Sequence, residues 1–114
     1  FGEDVDIYED GKVVSHDGAW LAGKSGARPG IIFPGGAFLI ASRYFQEVAP
    51  GVALDRAENV AENLKIQVPA GVFQKCVKIR ETTPLELGSE SIKFYCPDVG
   101  LVADGDLKLK FVQP

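Results

Sequence analysis

The chain has 114 residues, 46% hydrophobic and 25% charged, and 12 Lys and Arg against 16 Asp and Glu leave a net charge of −4. That length suits one domain with a modest core. Scattered cations and a negative balance argue against a nucleic-acid partner, and no apolar run approaches the roughly 18 residues of a membrane-spanning helix.

Thirteen Gly and seven Pro, beside frequent Val, Ile, Phe and Thr, point to short strands and turns. Residues 5–8 and 12–15 flank Glu9-Asp10-Gly11, an Asp-Gly pair suited to a tight hairpin. Trp20 and Leu21 continue or follow the second of these strands. Residues 23–30 hold too many breakers for regular structure, and Ile31-Ile32-Phe33 stops at Pro34-Gly35-Gly36. Aromatic and β-branched residues from Arg43 to Val48 turn the 37–48 block toward a strand. Two periods fit the next segment. Leu54, Ala57, Val60, Ala61 and Leu64 follow a helical face, whereas Asp55, Ala57, Asn59 and Ala61 alternate as an exposed strand would. One short helix near residues 54–62 therefore stands as an option.

The second half reads as a meander. Leu64 to Val68 form a strand that breaks at Pro69-Ala70-Gly71, and residues 72–81 form the next. There Phe73, Val77 and Ile79 share one face and Gln74, Cys76, Lys78 and Arg80 the other. After a loop over 82–89, Ile92 and Phe94 face opposite to Ser91, Lys93 and Tyr95. A strand from Val99 turns at Asp104-Gly105-Asp106, and Leu107, Leu109 and Phe111 then alternate with Lys108, Lys110 and Val112. The fold expected is all-β: an antiparallel meander curled into an open half-barrel or sandwich, in a single domain over residues 1–114.

Cys76 and Cys96 sit in neighbouring strands, symmetric about the loop near Glu86. A secreted protein would join them. Parity argues otherwise, because Cys96 goes with the apolar Ile92 and Phe94 and Cys76 with the polar Lys78. On that reading a disulfide needs a bulge or a register change.

Little in the chain suggests chemistry. Ser15-His16-Asp17 contains the sole histidine, but neighbours in a strand project to alternate faces and do not converge as a triad must. Asp4, Asp6, Glu9 and Asp10 form one acidic cluster and Asp98, Asp104 and Asp106 another; either is a candidate for calcium, and loop acids that solubilise turns are the commoner case. Asp55, Glu58 and Glu62 offer paired carboxylates on a helix, and Arg43 and Glu47 a cross-sheet pair, with solvated surface charge as the default. Trp20, Phe33, Phe38, Tyr44 and Phe45 are candidates for lining an apolar ligand cavity, against the commoner role of core packing. No cofactor motif is present.

Val68-Pro69-Ala70-Gly71-Val72-Phe73, then Cys76-Val77, and Phe94-Tyr95-Cys96-Pro97-Asp98-Val99-Gly100-Leu101-Val102 resemble a V-P-x-G-x-F … Y-A-P-G-V-G-L-V pattern of secreted bacterial β-proteins, a domain of unknown function. Phe1-Gly2-Glu3-Asp4, Gly11-Lys12-Val13-Val14, Gly18-Ala19-Trp20 and Pro29-Gly30-Ile31 are similar to the middle of longer members. Cys96 stands where Ala is usual and Asp98 where Gly is usual, which puts the turn geometry there in question. Residues 37–42 also depart from the Gly-Asp turn expected before Tyr44. The resemblance implies a periplasmic or extracellular location, and that the chain is the C-terminal portion of a longer protein, an expectation also suggested by its start at Phe1 without Met. It carries over no catalytic residue. The function expected is a non-enzymatic exported binding or structural module, with a hydrophobic-ligand or lipid carrier and a metal-dependent hydrolase as rivals. Its partner would be a protein or a small apolar ligand, and unpaired strand edges would favour a homodimer.

Overall fold

A computed structural model describes residues 1–113. Ten strands follow the chain, with no helix among the described residues. Strand β1 (Gly2–Glu3) pairs with β4 (Trp20–Leu21), and β2 (Ile7–Glu9) with β3 (Lys12–Ser15). The remaining six form one antiparallel sheet: β5 (Arg43–Phe45), β6 (Arg56–Val68), β7 (Gly71–Thr82), β8 (Glu90–Cys96), β9 (Gly100–Asp104) and β10 (Leu107–Lys108). Its order, β10-β9-β8-β7-β6-β5, is a simple open meander.

The turns obey local chemistry. Glu9 pairs with Lys12 across Asp10 and Gly11, and both take positive φ, 53° and 77°. Mirror-image turns of this kind match the twist of the flanking strands. Pro69-Ala70 joins β6 to β7, where Val68 pairs with Gly71. Trp20 and Leu21 return to β1 instead of extending β3. Of the 37–48 block only Arg43–Phe45 is a strand, and the alternation after Leu107 is a strand only to Lys108, with one further bond from Leu109 N to Val102 O.

Three corrections have physical causes. The helix near 54–62 is absent: from Arg56 the chain is a strand, paired with β7 throughout and with β5 over its first three residues. Ala57 and Asn59 are buried on one face, while Arg56 and Glu58 project from the other. Pairing on both sides satisfies the backbone and burial of alternate residues supplies the driving force, so the helical spacing of Leu54, Ala57 and Val60 is not used. Second, strand parity does not run unbroken. Three bulges interrupt β6 and β7, and Asn63 and Lys75 adopt φ of 55° and 58°. The one at Lys75 moves Phe73 to the side of Cys76, away from Val77 and Ile79.

Third, the cysteines are joined: Cys76 and Cys96 form a disulfide with Cα atoms 4.2 Å apart. No bulge between β7 and β8 is needed. Val77 pairs with Tyr95 and Lys78 with Phe94, so the next step of that register sets Cys76 opposite Cys96. The polar face of β7 and the apolar face of β8 are one face of the sheet. Parity assumed a single greasy side, and this sheet packs on both.

One face carries Tyr44, Ala57, Asn59, Ile79 and Tyr95, and the loop over residues 31–41 lies on it. Asn59, only 1% exposed, fastens that loop: its amide donates to Leu39 O at 3.1 Å, and Tyr44 O–H donates to its Oδ1 at 3.1 Å. Backbone bonds from Ala41 N to Asn59 O and from Asn59 N to Ser42 O complete the attachment. Phe33 meets Tyr95 with ring centroids 4.7 Å apart. On the opposite face the bulged end rolls over a second core. Cys76, Cys96 and Val102 pack there with Leu64, Ile66, Phe73, Phe94 and Leu109, and Ala70 N donates to Leu109 O at 3.0 Å.

The molecule is loosely built. Its radius of gyration is 16.1 Å, where about 13 Å is usual at this length. It exposes 8022 Å², where about 6,100 Å² is usual for its mass.

Candidate functional site

The sheet register assembles an arginine-lined cleft at the β5 end of the disulfide-bearing face. Arg43, Glu58 and Arg80 stand side by side on β5, β6 and β7, since Arg43 pairs with Glu58 and Glu58 with Arg80. The adjoining row runs Phe45, Arg56, Thr82 and Glu90. These rows border a cleft of about 470 Å³. Glu58 is clamped between two cations: Arg80 Nη2 donates to its Oε1 at 2.5 Å and Arg43 Nε to its Oε2 at 3.4 Å. The bond from Arg80, with the charges of both arginines, holds its carboxyl below the ordinary carboxylate value. Arg80 also lies 3.9 Å from Glu90 at the rim. Arg56 makes no ion pair or side-chain hydrogen bond among the described residues.

A second polar site lies where the N-terminal strand meets the sheet, along a groove of about 430 Å³ lined in part by Glu3, Glu47, Asp55 and Glu86. Desolvation, a hydrogen bond shared with Glu3 and the charge of Asp55 push the Glu47 carboxyl up to about 7. Burial also raises Asp55, helped by Glu81 and Glu3 and opposed by Lys93. Glu81 Oε1 pairs with Lys93 Nζ at 2.8 Å, and Glu81 Oε2 is buried without a partner. Burial alone would lower the Lys93 ammonium, but the Glu81 bond and charge, with Tyr95 and Asp104, leave it above its ordinary value. Burial first, and the charges of neighbouring acids second, make Glu47 and Asp55 hold their protons more tightly. Among the described residues, no three His, Cys, Asp or Glu are grouped to hold a metal.

The residues singled out in the sequence are dispersed. Trp20 lies with Phe1 and Leu21 in a separate groove, and its indole N–H is buried without a partner. Phe33 packs on Tyr95, and Phe38 lies half-buried in the covering loop. Tyr44 and Phe45 both border the arginine cleft while projecting to opposite faces. His16 Nδ1 sits 2.8 Å from Val5 O and 3.0 Å from Asp6 Oδ1, and Asp17 N–H donates to Ser15 Oγ at 2.9 Å, so no triad assembles. Arg43 bonds Glu58, not Glu47. Asp55 faces the carboxylate junction while Glu58 faces the arginines, so they are not paired carboxylates. Sequence reading singled out neither Arg56 nor Arg80 as a site residue. Their charge was visible, but only the register shows that they share a face with Arg43.

Comparison with known protein families, curated proteins and solved structures returned no match.

Proposed function

We propose that this chain is an exported, non-enzymatic binding or structural module that buries part of its surface against a protein partner, through the apolar loop at residues 31–40. The observation that carries this reading is surface left uncovered. The chain exposes 8022 Å², about 1,900 Å² more than a compact monomer of its mass, whereas a standard interface takes about 800 Å² from each partner. Ile31, Ile32, Leu39 and Ile40 are each about half or more exposed within that single loop, and exposed apolar patches mark interaction sites. The open flank of β6 over residues 60–68 is a poorer docking site, because the bulges break its pattern of donors and acceptors. The disulfide supports an oxidising, extracytoplasmic location. The apolar-carrier reading has less support: of the candidate aromatics only Tyr44 and Phe45 border the same cleft, and it is lined by arginines.

Self-association is the first form to test. Sedimentation of the oxidised chain should show concentration-dependent association that Ile32→Glu with Ile40→Glu abolishes. A strict monomer at high concentration that also fails to bind an apolar-surface dye refutes the reading.

A further inference from the structure

We infer that the cleft on β5 to β8 is a binding site for a small organic anion, a carboxylate or phosphate monoester on a ring or short apolar body, its charge seated on Arg56 and its body on Phe45. This does not rest on the partner interface proposed above.

Arg56 stands between Phe45 and Thr82, in the row next to Arg43, Glu58 and Arg80, and is matched by no acid of its own. A guanidinium offers five N–H donors in a planar fork that fits carboxylate and phosphate oxygens in pairs. Glu58 takes one donor from each flanking arginine, closely from Arg80 and at 3.4 Å from the exposed Arg43, so most of their donors stay free while Arg80 is held in place. That pre-arrangement lowers the ordering cost of binding. Three arginines against Glu58 and Glu90 leave the lining net positive in a chain of net charge −4.

The same two carboxylates limit the ligand. Glu58 at the centre and Glu90 at the rim repel added negative charge, which favours one anionic group over a polyanion. Phe45 is about half exposed beside Arg56, a free ring face for an apolar body and for the guanidinium itself. A volume of about 470 Å³ falls within the range of small-molecule sites.

The test is an NMR titration of the full oxidised chain with phenyl phosphate and with benzoate, using benzyl alcohol and benzylamine as neutral and cationic controls and inorganic phosphate as an anion without a body. At least one of the two aromatic anions should shift the amides of β5, of Arg56 and Glu58, and of Arg80 and Thr82 in a saturable way. The controls and inorganic phosphate should bind at least about tenfold more weakly. Arg56→Ala should lower affinity at least about tenfold without changing the melting temperature, and Arg56→Lys should fall between. If the alanine variant does not fold, Arg56→Gln keeps the stem and replaces it. Equal binding of benzyl alcohol overturns the anion assignment while leaving a site in the cleft. No saturable shift there, or affinity indifferent to Arg56, overturns the site itself. Either outcome is separate from the state of association read by sedimentation.

Discussion

Cutting the Cys76–Cys96 cross-link should cost this protein a large part of its stability. The bond closes a separation of 20 residues, and the chain-entropy relation for such a loop gives about 11 cal/mol/K, or about 3.3 kcal/mol at 25 °C. Domains of this size are stable by about 5–15 kcal/mol, so the loss takes a fifth to more than half of the total. With an unfolding entropy of about 2.1 cal/mol/K per residue, the melting point should fall by about 14 °C. Urea unfolding of the oxidised and reduced wild type isolates the cross-link, because both forms keep the sulfur atoms. Cys76→Ala with Cys96→Ala should lose more than reduction does, since Cys76 is 0% exposed in the rolled core and truncation leaves a void. Burial also means that reductant must wait for the structure to open, so reduction under native conditions should be slow and accelerate sharply with mild urea. A difference between oxidised and reduced midpoints worth less than about 1 kcal/mol would refute the account.

The carboxylate junction should make stability fall as pH rises. The folded state binds the Glu47 proton more tightly than the unfolded chain does, so the stabilisation is complete below the ordinary glutamate value and is lost as pH climbs through about 7. Thermal melts from about pH 5 to about pH 8 should therefore decline, and Glu47→Gln should flatten the decline without abolishing it, because Asp55 shifts in the same direction. Asn59→Ala removes the clasp to Leu39 and Tyr44 and should cost about 2–4 kcal/mol by urea titration. Asp98 holds φ of 66° in the β8–β9 turn, so Asp98→Gly should raise stability by about 0.5–1 kcal/mol in the same assay.

Much of the architecture was legible because turns and alternation act locally. Asp10-Gly11, Pro69-Ala70 and Gly105 mark the observed turns, and the run of polar and apolar residues in β8 announces both its faces. What failed was non-local. At residues 54–62 the two periods are equally good, and only pairing with β5 and β7 decides between them. The cysteines carried the right signal in their symmetry about Glu86, since residues equidistant from a hairpin loop oppose each other. Hydrophobicity misled, because Lys78 and Phe94 are cross-strand partners on a face that is solvated at one end and packed at the other. The arginine cleft draws on β5, β6 and β7, so its members are separated by long stretches of sequence and gain meaning only through register. Asp98 was a fair warning: it occupies a left-handed position where glycine would be easier.

The uneven fastening of the sheet has a mechanical consequence. Near Cys76 the rolled strands are stitched covalently, and the hairpin tip is tied back to Leu109. Strand β5 is held by three residue pairs, by what Asn59 holds, and by single backbone bonds from Ile31 N to Phe45 O and from Gln46 N to Asp55 O, with no covalent tie. Thermal openings should therefore begin at β5 and peel toward β8, with amides of Arg43–Phe45 exchanging hydrogen long before those beside Val77 and Tyr95. The hanging strand also supplies Arg43 and Phe45 to the cleft, so a ligand settling there would draw the frayed margin shut.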